Sequence, residues 1–209
     1  MRDGALFHIR RKANISLSFF FSWKVIPATK RSEGSAGLLT FAKKSDIIRL
    51  SHKFALNNGR VCMGKYDLFW ETMELCDWDH EGDDDRVLLP VIQYLSAKDD
   101  SAIFEFEDQM SELLFALDTK WLAMQCESIC GYWGEDDFLY SRCVALVNGE
   151  TFYNEVLSGE QEVIWNMEFE SLLYVSARAW AIKHQREESE FPYCSPVSYE
   201  TGSNVDAWL

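Results

Sequence analysis

"DDSAIFEFEDQMSELLFALDT", residues 99–119, decides the fold class. Ile103, Phe106, Met110, Leu113, Leu114 and Leu117 recur at intervals of three and four, which places them on one stripe of an α-helix. Asp99 or Asp100 is available as the N-cap, where a short carboxylate can accept from an orphan backbone N–H. Opposite the stripe, Glu105, Asp108 and Glu112 keep the same spacing, so three carboxylates share a solvent face and no basic residue on the helix offsets them.

The period continues on both sides of this helix. Upstream, "KYDLFWETMELCDW" (65–78) repeats Leu68, Phe69, Met73 and Cys76 along one face, and "VLLPVIQYLS" (87–96) predicts a second short helix with Pro90 in its first turn or at a kink. Downstream, "KWLAMQCESIC" (120–130) stops near Gly131, "DDFLYSRCVALVNG" (136–149) ends in an Asn-Gly stop, and "ETFYNEVLSG" (150–159) closes at Gly159. "NMEFESLLYVSARAWAIKHQR" (166–186) predicts a long helix with Lys183 to Arg186 favourable at its C-terminus. The last segment, "EESEFPYCSPVSYETGSNVDAWL", has two prolines and no sustained period, which predicts an irregular tail packed through Phe191, Tyr193 or Trp208. No alternating run marks a strand. The expected fold is all-α: a single compact domain of about six or seven helices.

Charge divides the chain. Residues 1–62 carry twelve Lys/Arg against three acids, a net +9, whereas the rest carries eight basic and 31 acidic residues, a net -23, inside a total of -14. The first segment therefore reads as a basic extension outside the core, poorly ordered, and residues 63–209 as an acidic helical domain that begins at Met63, a candidate native start. The apolar run Ile15–Trp23 imitates a signal peptide but is diluted by serines, lacks a convincing cleavage site and is too short to span a bilayer. The acidic part repels nucleic acid and anionic lipid and attracts basic partners. Six cysteines without a C-x-x-C pair give poor support to zinc or a disulfide framework, and the expectation is a reducing cytoplasm with Cys76, Cys126 and Cys143 as small hydrophobes. Cys126 and Cys130, four apart on one helix face, also read as packing.

"DWDHEGDDDR" (77–86) holds the densest charge. Asp77, Asp79, Glu81 and Gly82 match the first half of a calcium loop, but the twelfth position, which should be a bidentate Glu, is Leu88. Helix capping by Asp83, Asp84 and Asp85 explains part of the loop, and no metal is expected. His80 and His184 lie in an exposed loop and at a helix end, settings that seldom make a general base. Asp136 and Asp137 suit a first helical turn. Arg142, flanked by apolar residues, predicts a partly buried pair with Asp136, Asp137 or another acid, with anion recognition as the functional alternative.

Several motifs in order carry a resemblance: "YDLFWETME", "DDDRVLLPVIQYLS", "IFEFEDQMSELLFALDT", Trp121, "EDDFLYSRCVALVNGETFYNEVL", "EFESLLYVSARAW" and "SYETGSNVDAW". Over about residues 66–208 the chain resembles bacterial proteins of domain-of-unknown-function family 4240. The resemblance implies a helical domain without an established reaction, and it marks Phe69, Trp70, Trp121, Asp136, Asp137, Phe138, Tyr140, Arg142, Gly149, Phe152 and Tyr153 as motif positions.

Two functions follow. The first is a soluble binding protein that docks a basic protein partner, an immunity-type inhibitor of a toxin, through Asp79, Glu81, Asp83, Asp84, Asp85, Glu105, Asp108 and Glu112. The second is a small-molecule site or enzyme with a pocket around Asp136, Asp137, Tyr140 and Arg142. No nucleophile–base pair in a recognisable context supports catalysis, and no cofactor is expected.

Overall fold

The computed structural model describes residues 64–131, 134–160 and 163–209. The basic segment 1–62 and the boundary proposed at Met63 lie outside the described residues. Among those described, eight α-helices and four short 3-10 turns form the structure and no strand occurs. The helices are α1 (Asp67–Met73), α2 (Asp84–Ser96), α3 (Asp100–Leu117), α4 (Lys120–Cys130), α5 (Glu135–Val147), α6 (Glu150–Ser158), α7 (Val175–His184) and α8 (Val205–Trp208). The all-α reading of the sequence holds, with α8 added inside the tail.

Helix α3 is the centre. Its stripe Ile103, Phe106, Met110, Leu113, Leu114 and Leu117 is buried, and it packs on α1, α2, α5 and α7. Phe69 of α1 stacks on Phe106 at 5.0 Å, and Phe138, Trp165 and Phe169 fill the far side of the core. Each large apolar side chain buried in this way contributes about 1.5–3 kcal/mol, which is what holds helices of modest intrinsic propensity.

The ends follow local chemistry. Asp83 caps α2 by accepting from the Arg86 N–H at 3.2 Å, and Thr119 caps α4 by accepting from Leu122 at 3.2 Å. Gly131 and Gly159 adopt left-handed conformations (φ 71° and 79°) that close α4 and α6, as their positions predict. Pro90 falls in mid-helix because α2 starts earlier than its apolar run suggests, at Asp84. It removes the backbone bond to the Arg86 carbonyl without ending the helix.

The long helix expected over 166–186 is divided. Val163–Asn166 and Glu170–Tyr174 are 3-10 turns, and α7 begins only at Val175. Phe169 between them has non-helical backbone (φ -142°, ψ 61°), and its N–H bonds the Tyr140 carbonyl at 3.1 Å. That long-range bond and the burial of Phe169 and Leu172 outweigh helical continuity here. The tail, residues 187–209, is largely irregular, and it packs through Phe191, Tyr193 and Trp208.

Candidate functional site

The acidic loop is largely engaged with itself. Asp77 accepts from the Asp79 N–H at 3.3 Å and pairs with His80 Nδ1 at 3.0 Å, so both its oxygens serve the 3-10 turn Trp78–His80. Asp79, Glu81, Asp83 and Asp85 are exposed. Asp83 also meets Arg86 at 3.5 Å, and Asp85 meets Arg178 of α7 at 2.7 Å. Asp84 differs from its neighbours: it is 3% exposed and accepts from the Ser171 hydroxyl at 3.2 Å, joining α2 to the turn before α7. It faces inward, away from solvent, which takes it out of the exposed acidic surface expected of this loop. No group of three or more His, Cys, Asp or Glu among the described residues is placed to hold a metal.

On α3, Glu105 is exposed and accepts from Gln109 Nε2 at 3.0 Å. Asp108 accepts from the Tyr193 hydroxyl at 2.8 Å, and Glu112 pairs with Lys65 at 2.8 Å. The face expected to be bare is therefore partly covered by the tail and by Lys65. Beside it, Lys65, Tyr66, Glu112, Phe115, Pro196 and Ser203 line a shallow cleft of about 570 Å³.

Of the predicted pocket, only part comes together. Glu170, which the sequence reading did not single out, accepts from the Tyr174 hydroxyl at 2.6 Å and lies against Tyr140, with Asp136 nearby. Burial, followed by the charges of Glu170 and Asp136, pushes the Tyr140 phenol up, while the Glu170 hydrogen bond is the main cause that pushes Tyr174 up to about 12. Both phenols are donors at neutral pH. Asp137 belongs elsewhere: it accepts from the Gly134 N–H at 2.8 Å and closes the first turn of α5.

Arg142 corrects its expectation most clearly. It is fully buried, and no ion pair joins it to Asp136 or Asp137. Nη1 donates to the Leu114 carbonyl at 2.8 Å, and Nη2 donates to the Tyr199 carbonyl and to Thr201 Oγ1, each at 3.0 Å. The guanidinium also lies over the Phe138 ring at 4.9 Å. Carbonyls replace the carboxylate because α5 faces the open C-terminal end of α3, where orphan carbonyls collect. Burial lowers the guanidinium's proton affinity, and Asp118 acts against that.

Asp118, at the C-terminus of α3, is the residue that sequence reasoning missed. It is fully buried, and four donors of the tail converge on it: the Gly202 N–H at 3.0 Å, Ser203 Oγ at 3.3 Å, the Asn204 N–H at 3.0 Å and Trp208 Nε1 at 2.9 Å. Its only sequence signal was an acid directly after the last apolar position of a helix, which usually marks a solvated end. Asp118 and Arg142 together hold the tail as a strap.

Cys76, Cys126, Cys130 and Cys143 are structural by environment. Burial pushes Cys76 and Cys143 up to about 12, so neither is a thiolate near neutrality. Cys126 and Cys130 both donate to the Trp165 carbonyl, in keeping with packing. No helix among the described residues is long and apolar enough to cross a membrane.

No curated protein and no solved structure matches the chain. A family model does, over residues 64–181, a span that contains Asp118 and Arg142 and ends before the strap. With more than half of its length matched, the chain belongs to the protein family of unknown function DUF4240.

Proposed function

We propose that this protein is a soluble acidic binding module that docks a basic protein partner, in the manner of an immunity-type inhibitor that neutralises a cationic toxin. The observation that carries the reading is the surplus of exposed carboxylate in residues 77–86. Asp77 and Asp84 are engaged within the fold and Asp83 and Asp85 also cap or pair, yet Asp79, Glu81, Asp83 and Asp85 all remain exposed in a unit of net -23. Such a field steers a cationic surface and weakens with salt. Glu105 extends the acidic surface, while Asp108 and Glu112 contribute less because Tyr193 and Lys65 engage them. The second reading, a small-molecule site or enzyme at Asp136, Asp137, Tyr140 and Arg142, has less support, because Asp137 and Arg142 are directed to other partners.

The test is recovery of a partner from the source cell by the full chain at low and moderate salt, against the variant Asp79→Asn/Glu81→Gln/Asp83→Asn. Asn retains N-capping at position 83, so the variant leaves α2 intact. Reduced recovery of a basic protein, with a flatter salt dependence, supports the reading. Recovery equal to wild type removes this loop from the interface.

A further inference from the structure

The strap runs along α3 in the same direction as the helix. Tyr193 stacks on Phe104 at 4.4 Å and reaches Asp108, Tyr199 and Thr201 meet Arg142 beside Leu114, and Gly202 to Trp208 close on Asp118. Asn204 Nδ2 adds a bond to the Phe115 carbonyl at 3.1 Å, and Thr201 Oγ1 donates to the Glu135 carbonyl at 2.8 Å. No residue of 187–209 is itself buried, although both charges beneath the strap are. Buried Arg and Asp side chains are costly unless their hydrogen-bonding capacity is met, and here the strap supplies most of the partners. Arg142 Nε has no partner even so.

The groove reads backbone. Arg142 takes the Tyr199 carbonyl, and Asp118 takes the N–H groups of Gly202 and Asn204 across a turn that needs the left-handed Gly202 (φ 86°). Side-chain identity enters through the Trp208 indole, the Thr201 and Ser203 hydroxyls, the Asn204 amide and, further back along α3, Tyr193. Recognition of this type depends on an extended peptide with a turn and does not depend on covalent linkage to α7. The junction is a one-residue hinge: Gln185 (φ 54°, ψ 48°) is the one described non-glycine residue with positive φ, it lies between α7 and the strap, and the N–H groups of Gln185 and Arg186 bond the Ile182 and Ala181 carbonyls there. Straightening it exchanges those two capping bonds for relief of the left-handed backbone, so a change at one residue would redirect the strap, as exchange between identical chains requires.

We propose that the α3–α5 groove, with Asp118 and Arg142 at its base, is a binding site for an extended polypeptide that the chain's own strap fills in cis and the strap of a second copy fills in trans. The tethered strap has an effective concentration on the order of millimolar, so it holds the groove against free competitors. Exchange brings together two units of like charge, so it strengthens as salt rises, opposite to docking of a basic partner.

A fluorescent peptide of residues 187–209, titrated into the full-length protein, tests this. With Thr201→Val/Trp208→Ala, which weakens the cis strap, half-saturation is expected at a peptide concentration at least about tenfold below that of wild type, and adding Asp118→Asn raises it by at least about tenfold. A weakened variant that keeps its helical circular dichroism yet binds no peptide, or binding indifferent to Asp118→Asn, overturns the groove. For the second copy, deletion of Arg186–Ser189 shortens the connection from α7 by four residues and so disfavours return in cis. Dimers by light scattering, more abundant at higher salt, support exchange, and a folded monomer overturns it.

Discussion

Arg142 and Asp118 hold one strap from two helices: the first donates to the Tyr199 carbonyl, and the second accepts from Gly202, Ser203, Asn204 and Trp208. Neither charge is exposed, and the opposite charge that acts most on Arg142 is Asp118. The C-terminal segment therefore completes the fold, although its sequence has no helical or strand period.

Asp118→Ala removes four acceptor contacts and leaves Arg142 buried without its main compensating charge. The expected loss is about 3–5 kcal/mol, as for breaking one side of a buried charged arrangement. Asp118→Asn keeps one acceptor oxygen and is expected to cost less, about 1–3 kcal/mol. Urea midpoints at constant slope measure both, and a loss below about 1 kcal/mol for Asp118→Ala would show that the strap contributes little.

Glu107 provides a pH test. It lies on α3, 8% exposed, and burial raises its pKa above the ordinary 4.5, with the nearby Ser176 hydroxyl acting the other way and the neighbouring Asp108 adding to the rise. A pKa raised in the folded state means that the native protein binds the proton more tightly than the unfolded chain. The associated stability is complete below 4.5 and is lost as pH rises through the folded value. Glu107→Gln stays neutral throughout. Thermal melts at roughly pH 4 and pH 7 are expected to give a variant whose stability relative to wild type increases toward pH 7, and a difference that does not change with pH contradicts this.

Trp121 and Gly159 interlock. A Cβ on Gly159 would lie 2.0 Å from the Trp121 ring, on a backbone of φ 79° that side chains rarely adopt. Gly159→Ala is expected to cost about 1–3 kcal/mol from strain and overlap. Trp121 is 48% exposed, so Trp121→Ala alone costs less, and the double variant recovers the overlap part but not the strain. Additive costs in the double-mutant cycle would exclude the contact.

Much of this fold was legible because period and stop signals are local properties. The α3 stripe and the ends at Gly131, Asn148–Gly149 and Gly159 require only neighbouring residues. The break before Val175 was not legible, since it depends on Phe169 bonding a carbonyl 29 positions earlier, at Tyr140. The partners of Arg142 were missed for the same reason: the Leu114 and Tyr199 carbonyls carry no side-chain signature. An acid count also could not separate Asp84 from Asp83 and Asp85, because the distinction lies in which way the first turn of α2 faces.

That distinction is itself measurable. Asp83→Asn keeps a capping side chain and is expected to change stability by less than about 0.5 kcal/mol. Asp84→Ala leaves the Ser171 hydroxyl, 3% exposed, without its acceptor and removes the link between α2 and the turn before α7. Its expected cost is about 1–3 kcal/mol, the penalty for a buried polar group left unsatisfied. Chemical denaturation of the two variants side by side decides the matter. Equal effects would mean that Asp84 is only another charge of the loop, and its place in the proposed docking surface would then be restored.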